Sequence, residues 1–492
     1  MIFDINGPWL TFCGMEPFPT PMQFIAGRWQ AGRGSAQLTI TDPATEEVLV
    51  RGAVASRADI GDALDASLTG FETWKSRTAV ERARVLRKGA ALLRQGTDRI
   101  AALLTREQGK PLAEANREIE QAADTIDWHA DEGRRAYGRV IPSRWPGTRF
   151  HTELVPVGPV AALTPWNFPV MLSAIKVGAA LAAGCSVILK PADETPLAVS
   201  EMVRCLHGAG LPDGVLQLLV GEAPEISSAL IASKQIRKVS FTGSTEVGRL
   251  LAEQAGRHLK PVTLELGGHA PVIVCEDADV EAAVRTLAAI KFRNAGQICA
   301  NPSRFFVHRT LAARFADAMG GVAAGQRLGA GSNAQTTMGP LANRRRFDAV
   351  QALVDDARTH GAAVVAGGRR HGTRGFFFEP TVLSQVPDEA RVMHEEPFGP
   401  IVPVTPFDTL DEAIARANAL DVGLAAFGFT RSLASAHRLG AELQAGSVGI
   451  NSISLMQPET PFGGVRGSGF GRENGSEGLA GYLSPRTIVT AV

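Results

Sequence analysis

The stretch around which the chain is organised reads TLELGG at residues 263–268, and a second stretch reads NAGQIC at residues 294–299. Each places one reactive side chain in a glycine-containing turn: Glu265 in the first and Cys299 in the second. A thiolate is a strong nucleophile, and a carboxylate can activate the water that clears a covalent adduct. The pair predicts covalent catalysis with a general base. The alternative for any single cysteine is a buried structural thiol, which is the commoner case.

The composition indicates a globular chain with more than one domain. The 492 residues are 45% hydrophobic and 20% charged, and a chain of this length predicts about two to three domains. Lysine plus arginine and aspartate plus glutamate number 50 each, so no net field attracts nucleic acid or an anionic membrane. We expect neither as a partner.

The cysteines and the amino terminus bear on the compartment. Five cysteines stand at positions 13, 185, 205, 275 and 299, with irregular spacing and no C-x-x-C pair. This pattern argues against a disulfide framework and a zinc site, so we expect no metal and a reducing, cytoplasmic location. Residues 1–20 are predicted to be an N-terminal extension without a secretory signal. No continuous apolar run is long enough to span a bilayer.

A strand–helix alternation begins near residue 156. Short apolar segments alternate with amphipathic ones, which predicts a parallel sheet covered by helices on both faces. The predicted strands are 156–163, 185–189, 215–220 and 238–241, and the predicted helices are 168–183, ended by Gly184, and 196–208, N-capped by Thr195.

A second α/β series follows Gly268. Its predicted strands are 271–274, 304–307, 363–365 and 400–404, and its long helix runs from 280 toward 294. Residues 57–135 are predicted to be mostly helical. The stretch 141–151 breaks that pattern with prolines and a glycine, and we predict that it projects as a hairpin arm.

Two polar turns follow predicted strands. TPWNFP at 164–169 places Asn167 where a strand passes into a helix, so its amide could donate to a developing oxyanion; the alternative is an ordinary helix N-cap. KPAD at 190–193 offers an ammonium, Lys190, and a carboxylate, Asp193, to two ribose hydroxyls; the alternative is a surface turn.

Three glycine turns are weaker signals when taken alone. FTGSTEVG at 241–248 joins a strand to a helix, and free N–H groups at a helix N-terminus suit a pyrophosphate. The segment is neither G-x-G-x-x-G nor a P-loop. HEEPFGP at 394–400 and PFGG at 461–464 carry aromatic residues, and the alternative for both is a tight turn with a core phenylalanine.

The order of these motifs is the specific signal. In chain order they are Trp166-Asn167, Lys190, Gly243-Ser244, Glu265, Cys299, Glu396-Pro397-Phe398-Gly399 and Pro461-Phe462-Gly463-Gly464. Together they resemble the NAD(P)-dependent aldehyde dehydrogenase superfamily, over residues 24–490. Within it the chain looks most like the succinate-semialdehyde dehydrogenase group, on the phrases KFRNAGQ at 291–297, KVGAALAAG at 176–184 and Arg472-Glu473.

The resemblance implies an α/β fold with a Rossmann-like cofactor domain, an α/β catalytic domain and a small β oligomerisation arm. The implied boundaries are 21–135 with 155–266 for the NAD-binding domain, 267–450 for the catalytic domain, and 136–154 with 472–492 for the arm. It also implies a homodimer or homotetramer.

The resemblance implies catalytic roles for five residues. Cys299 would be the nucleophile, and its N–H with the Asn167 amide would form an oxyanion hole. Glu265 would be the base for deacylation, with Lys176 and Glu473 as a proton relay behind it. A thiohemiacetal on the cysteine would lose hydride to the cofactor, and water would then hydrolyse the thioester.

The resemblance also implies binding residues. The implied cofactor-binding residues are Thr164, Pro165, Trp166, Asn167, Lys190, Pro191, Ala192, Asp193, Gly243, Ser244, Leu266, Glu396 and Phe398. The implied substrate residues are Arg293, Phe168, Ile175, Phe462 and Gln457. Since Asp193 puts a negative charge where a 2′-phosphate would sit, we expect NAD to be preferred, with NADP used less well.

Two departures from the succinate-semialdehyde group bear on the substrate. Ile175 stands where that group carries a second arginine, and Met456 and Gln457 stand where its loop supplies a serine. Only Arg293 survives of the usual carboxylate clamp. We expect a short semialdehyde such as succinate semialdehyde, the alternative being another small polar aldehyde of the lactaldehyde, glutarate-semialdehyde or 2-oxoglutarate-semialdehyde type.

Three rival functions agree less well with these residues. A CoA-acylating member of the superfamily would lack the base, which Glu265 argues against. A cysteine hydrolase without redox chemistry would not need the 190–193 and 241–248 turns. A non-catalytic role on the same fold is disfavoured by the intact Cys299, Glu265 and Asn167, although fold alone would not exclude it.

Overall fold

The computed structural model describes residues 18–491. The predicted N-terminal extension, residues 1–20, therefore lies almost wholly outside the described residues, as does Cys13. Within the described range, no helix is both long and apolar enough to cross a membrane.

The elements follow one another from a short N-terminal hairpin to a C-terminal strand. The strands are β1 Gln23–Ile25, β2 Arg28–Gln30, β3 Gln37–Thr41, β4 Val48–Ala53, β5 Arg139–Ile141, β6 Thr148–Pro156, β7 Val160–Leu163, β8 Val187–Lys190, β9 Leu216–Leu218, β10 Lys238–Thr242, β11 Val262–Glu265, β12 Ala270–Val274, β13 Pro302–His308, β14 Ala363–Ala366, β15 Thr381–Ser384, β16 Ile401–Phe407, β17 Val422–Gly423, β18 Ala425–Phe429, β19 Ser447–Ile450, β20 Val465–Arg466, β21 Gly469–Phe470 and β22 Leu483–Ala491. The helices are α1 Arg57–Lys75, α2 Ala79–Gln95, α3 Thr97–Gln108, α4 Leu112–Glu132, α5 Pro169–Ala183, α6 Pro196–Gly208, α7 Ala223–Ala232, α8 Thr245–Arg257, α9 Val280–Lys291, α10 Arg309–Ala324, α11 Arg344–Thr359, α12 Leu410–Ala417, α13 Leu433–Glu442 and α14 Gly475–Ala480.

Two large sheets carry the fold. The first has the order β2-β1-β9-β8-β7-β10-β11-β21. Its five central strands, β9, β8, β7, β10 and β11, run parallel, whereas β1 is antiparallel to both β2 and β9, and β21 is antiparallel to β11. The second has the order β14-β15-β16-β13-β12-β18-β19 and is parallel except for β14. Both are covered by helices, so the predicted mixed α/β class with Rossmann-type parallel sheets is confirmed.

A third sheet, β22-β6-β5, is antiparallel and joins the C-terminal strand to the predicted arm. Over nine residues the register runs from Leu483 opposite Pro156 to Ala491 opposite Thr148. The stretch 141–151 therefore does take part in a hairpin. The division of the chain into three domains at the stated boundaries stays a prediction.

Three local predictions need correction. The predicted strand 156–163 is broken, because residue 156 ends β6 and β7 begins only at residue 160, after Gly158 with a φ of 126°. The side chain of Thr195 does not cap α6. Instead the buried Glu107 carboxylate accepts the N–H groups of Leu197 and Ala198 at 2.8 and 2.9 Å.

The long helix predicted toward residue 294 also ends early. Helix α9 stops at Lys291, and a short 3₁₀ turn, Arg293–Gly296, follows. The prediction for α5 holds, since Gly184 terminates it in the left-handed region with a φ of 99°.

The two sheets meet at the ends of their strands. Strand β11 ends at Glu265, and β12 of the second sheet begins five residues later at Ala270. The carboxyl ends of the parallel strands of the first sheet thus lie next to the amino ends of those in the second. Open α/β sheets bind ligands at the carboxyl ends of their strands, so this seam is the expected place for a site.

Candidate active site

Four of the predicted motifs lie at the carboxyl edge of the first sheet. Residues 164–167 follow β7, Lys190 ends β8, Gly243 follows β10, and Glu265 ends β11. The register aligns all four strands, with Leu163 opposite both Lys190 and Phe241, and Phe241 also opposite Leu264. The motifs are therefore neighbours because parallel strands finish at one edge.

The remaining motifs come from the amino edge of the second sheet. Cys299 stands just before β13, and residues 396–398 stand just before β16, which pairs with β13. Gly296 has a φ of 78°, and a Cβ there would lie 2.2 Å from the carbonyl oxygen of Gly399. The nucleophile turn consequently packs directly on the turn that carries Glu396.

Cys299 is half-buried at the border of the second sheet's hydrophobic core. Burial, with the nearby carboxyl groups of Glu396 and Glu265, raises the pKa of its thiol to about 12. Its own N–H and that of Ala300 oppose this shift by favouring the thiolate. In the protein alone the cysteine is therefore protonated at neutral pH, and attack requires a compensating positive charge or proton acceptor.

Glu265 is almost fully buried, with 4% of its surface exposed. Neither carboxyl oxygen has a hydrogen-bond partner in the range 18–491. Burial raises the pKa of this carboxyl well above its usual value, Glu473 raises it further, and Lys176 and Arg472 oppose the shift. A buried carboxyl with unused oxygens and a raised pKa is what a general base for water needs.

Lys176 and Glu473 form a buried ion pair next to Glu265. Ser240 contacts both, with its Oγ 3.3 Å from the Lys176 Nζ and 3.4 Å from the Glu473 Oε1. The backbone of Glu473 exchanges two 2.8 Å hydrogen bonds with Phe462. The Glu265 Oε1 lies against the next residue, Gly463, where a Cβ would be only 2.6 Å away.

Asn167 is buried beside the nucleophile turn. Its Nδ2 donates to the carbonyl of Gln297 at 3.1 Å, and its Oδ1 has no partner among the described residues. The N-cap alternative is wrong, because Phe168 occupies the cap position of α5. The first N–H groups of that helix donate instead to the carboxylate of Glu118.

The predicted ribose turn is formed. Lys190 is buried and its Nζ lies 2.5 Å from the Oδ1 of the half-exposed Asp193. Pro191 and Ala192 shape the turn between them, and the Ala192 carbonyl accepts the N–H of Thr195. An ammonium and a carboxylate side by side suit a diol.

The predicted pyrophosphate turn begins helix α8. Ser244 is the N-cap, and its Oγ accepts the N–H of Val247 at 3.4 Å. Ser244 is exposed and Gly243 half-exposed, so the N-terminus of this 13-residue helix is open to solvent. Gly248 packs on Leu266, where a Cβ would lie 2.3 Å from a side-chain carbon. This geometry fits a dinucleotide phosphate.

The opposite side of the cleft carries aromatic and acidic groups. The rings of Trp166 and Phe398 meet edge to face with centroids 5.5 Å apart. Burial raises the pKa of Glu396 to about 8, and the Gly268 N–H, Arg346 and Lys291 oppose that shift. Thr164 lies deeper, with its Oγ1 3.0 Å from the Oγ of Ser173.

The substrate residues divide into two groups. Phe168 and Ile175 share one buried apolar cluster, with Met171, Ile298 and Met456 at its margin. The Arg293 guanidinium lies 5.2 Å from the centre of the Phe168 ring, and its Nε has no partner in the described chain.

The two other predicted substrate residues are placed differently. Phe462 is buried in the second sheet's core, on whose border Cys299 packs, and not in the Phe168 cluster. Gln457 is exposed, and only the neighbouring Met456 reaches the cluster.

Sequence reasoning missed a buried polar network beneath these groups. Lys110 forms a buried ion pair with Glu118, donates to the Asn167 carbonyl at 2.7 Å, and lies 4.0 Å from the Phe168 ring centre. The Nδ2 of Asn294 donates to the same carbonyl at 3.0 Å. The only available signal was a lysine before the proline that starts α4, which is not specific. Between residues 18 and 491, no group of three His, Cys, Asp or Glu side chains could hold a metal ion.

Comparison with known proteins identifies the family of the chain. The profile of the aldehyde dehydrogenase family matches residues 29–488. The 4-(hydroxymethyl)benzenesulfonate dehydrogenase TsaD1 of Comamonas testosteroni is 50% identical, covering 95% of this chain and 97% of that protein. The 3-sulfolactaldehyde dehydrogenase of Pseudomonas putida is 41% identical, covering 94% and 96%.

A solved structure gives the same answer for the fold. The succinate-semialdehyde dehydrogenase of Burkholderia pseudomallei is 40% identical, with a TM-score of 0.94 over 96% of this chain and 98% of that one. The resemblance inferred from the motifs is thus confirmed. The chain belongs to the aldehyde dehydrogenase family, whose enzymes oxidise aldehydes with a nicotinamide cofactor.

Proposed function

We propose that this enzyme oxidises a short, acidic aldehyde to the corresponding acid, with NAD as the preferred cofactor and Cys299 as the nucleophile. The proposal rests on one observation: the turn that carries Cys299 and the carboxyl group of Glu265 lie together where the two sheets meet. Glu265 is buried with both oxygens unused, and it lies close enough to Cys299 to raise the pKa of its thiol.

Acylation uses the nucleophile turn and Asn167. The Cys299 thiol first loses its proton to solvent. The thiolate sulfur then attacks the aldehyde carbon, and the carbonyl oxygen becomes an oxyanion. The Nδ2 of Asn167, now on the Gln297 carbonyl at 3.1 Å, and the Cys299 N–H are the donors for that oxygen. A nicotinamide cofactor held by Lys190, Asp193 and the N-terminus of α8 would supply the hydride acceptor, and loss of hydride from the former aldehyde carbon would leave a thioester on the Cys299 sulfur.

Deacylation uses Glu265. Its carboxylate takes a proton from water while the water oxygen attacks the thioester carbon, and the carbon–sulfur bond then breaks to release the acid. The buried Lys176–Glu473 pair offers the next proton acceptor, because Glu473 already influences the pKa of Glu265.

The cofactor assignment rests on three places in the seam. Lys190 and Asp193 would hold the adenosine ribose, the open N-terminus of α8 would receive the pyrophosphate, and Glu396 would face the nicotinamide ribose. The Asp193 carboxylate disfavours a 2′-phosphate by like charge, although Lys190 beside it weakens the exclusion.

The substrate assignment rests on Arg293. Its partly buried guanidinium borders the apolar Phe168 cluster and keeps one N–H unused, which suits the anionic end of a small aldehyde. Two relatives are named for sulfonates and one for succinate semialdehyde. A carboxylate and a sulfonate present the same charge to an arginine, so we include both, with succinate semialdehyde as the carboxylate candidate.

Assembly and location complete the proposal. The β22-β6-β5 sheet exposes Val140, Trp145 and Val489, each more than half exposed, which supports a homodimer or homotetramer built through this arm. Cys185, Cys205, Cys275 and Cys299 are free thiols. They are consistent with a reducing compartment such as the cytoplasm.

The two half-reactions are separable by mutation. We expect Glu265→Gln to release a stoichiometric burst of NADH and then to turn over ~10²–10⁴-fold more slowly, because deacylation has lost its base. Cys299→Ala should give no burst. Stopped-flow absorbance of NADH measures both phases. Normal steady-state turnover by Glu265→Gln would show that another group is the base.

The raised pKa of Cys299 predicts its reactivity. Below a raised pKa the thiolate fraction grows about tenfold per pH unit, so alkylation of the cofactor-free enzyme by iodoacetamide should keep rising well above pH ~8.5, the ordinary thiol value. Glu396→Gln removes a nearby carboxyl that is charged above its pKa of about 8, so it should speed alkylation chiefly above that pH.

The control for this measurement is Cys299→Ser, which reports labelling of the other cysteines. A rate that levels off near the ordinary thiol pKa would contradict the assigned environment. So would slower alkylation in Glu396→Gln.

The ribose turn predicts cofactor preference. We expect kcat/KM to be higher with NAD than with NADP, and Asp193→Ser to narrow the ratio by relieving repulsion of the 2′-phosphate. Asp193→Glu, which keeps the charge, is the matched control and should retain NAD preference. Equal efficiencies in the unmodified enzyme would refute this assignment.

Arg293 predicts charge discrimination in the substrate. A hydrogen bond to a charged group contributes about 1.5–3 kcal/mol, so Arg293→Met should raise KM for an acidic aldehyde ~10–100-fold. KM for an uncharged aldehyde of the same length should change little. Assays should pair succinate semialdehyde and a sulfonated aldehyde with neutral analogues. An equal effect on charged and neutral substrates would make Arg293 a structural residue.

A further inference from the structure

Asn294 holds an unusual backbone position immediately after Arg293. Its φ and ψ are 50° and 35°, and Ala295 follows at 52° and 33°, so two consecutive non-glycine residues are left-handed. Such conformations are strained for residues with a Cβ, and they persist only where the surroundings hold them in place. Strain of this kind commonly accompanies a functional turn.

Every polar group of Asn294 has a hydrogen-bond partner. Its N–H donates to the Glu114 carboxylate at 2.8 Å, and its Oδ1 accepts from the Gln108 Nε2 at 2.9 Å. Its Nδ2 donates to the carbonyls of Asn167 at 3.0 Å and Gln297 at 3.3 Å. Its own carbonyl accepts the Gln297 N–H and Nε2 at 3.0 and 2.9 Å. The side chain is a buried junction between three segments.

We propose that Asn294 is a positioning residue that fixes the oxyanion donor Asn167 relative to Cys299. The inference rests on the proposed roles of those two residues. A single amide group, the Asn294 Nδ2, binds both the main chain of Asn167 and the carbonyl of Gln297, two residues before the nucleophile. The Asn167 side chain donates to the same Gln297 carbonyl. Lys110 still donates to the Asn167 carbonyl at 2.7 Å, but only the Asn294 amide binds that carbonyl and the Gln297 carbonyl together. Removing this shared donor therefore loosens the position of Asn167 relative to the nucleophile turn.

The same turn connects the acid-binding end of the pocket to the reacting centre. Arg293 is the residue before Asn294, and Glu114 accepts the Asn294 N–H while lying close enough to Arg293 for their charges to interact. Asn294 is thus the rigid element that carries Arg293 on one side and faces Asn167 on the other.

Asn294→Asp tests the role with almost no change in shape, because it replaces the shared N–H donor by an acceptor. Loss of one oxyanion donor costs ~10²–10³-fold in rate. Misplacing that donor should therefore slow the single-turnover NADH burst about tenfold or more. Iodoacetamide alkylation of Cys299 should fall far less than the burst, since that displacement needs no oxyanion hole and is affected only by the added carboxyl group.

A double-mutant cycle decides whether Asn294 acts through Asn167. In an Asn167→Ala background, Asn294→Asp should slow the burst less than about twofold, because the donor it positions is already absent. An equal loss in both backgrounds would overturn the inference. So would a parallel fall in Cys299 alkylation, which would mean that the whole turn has collapsed.

Asn294→Gly separates the side chain from the strained backbone. Glycine adopts the left-handed conformation freely, so retained burst kinetics in this variant would show that the backbone alone matters and would refute the positioning role. A loss like that of Asn294→Asp supports it. If Asn167→Ala itself leaves the burst unchanged, the oxyanion assignment fails first, and the two failures are distinguishable.

Discussion

The close approach of the two sheet edges at residues 265–270 is the constraint on which the site depends. The chain can pass from the first sheet to the second here only because Gly267 and Gly268 carry no side chain. A Cβ on Gly267 would lie 2.7 Å from the Glu396 carboxylate, and one on Gly268 would lie 3.2 Å from the Cys299 carbonyl and 2.9 Å from Leu424. The two glycines thus bring Glu265, Cys299 and the Glu396 turn together, where both carboxyl groups raise the pKa of the Cys299 thiol.

Burying these three ionisable groups close together disfavours their charged forms, and this affects which molecules can bind. Glu265, Glu396 and Cys299 all have raised pKa values, in each case chiefly because burial disfavours the charged form. Three groups that can become anions lie close together here. They favour the binding of a positive charge and repel any further negative charge nearby. The acidic aldehyde that we propose would have to keep its anionic group away from these carboxyl groups, and Arg293, 5.2 Å from the centre of the Phe168 ring, is the cation that we propose for it. The geometry favours a molecule with its aldehyde and its acid at opposite ends.

The sequence was informative where function follows from short-range pattern. Short apolar segments, each followed by a glycine or polar turn, predicted β8, β9, β10 and the end of β7, and the motifs at these strand ends lie close together because parallel strands finish there. Strand β11 was not predicted, since Glu265 was assigned to a glycine-containing turn and is instead the last residue of that strand. Family resemblance then supplied the pairing of Glu265 with Cys299. The predicted strand at 156–163 failed for a physical reason: a left-handed Gly158 separates an arm strand from a core strand, and periodicity does not distinguish them.

What could not be predicted are contacts between distant segments. Glu107 caps α6 across 90 residues, and Glu118 does the same for α5, so neither helix uses its own N-cap side chain. Both carboxylates come from α3 and α4, which pattern alone describes only as amphipathic helices. Lys110 reaches the Asn167 carbonyl from the junction of the same two helices. A mainly helical N-terminal region therefore stabilises the turns at the strand ends, and the position of Asn167 is fixed as much by these buried polar groups as by its own motif.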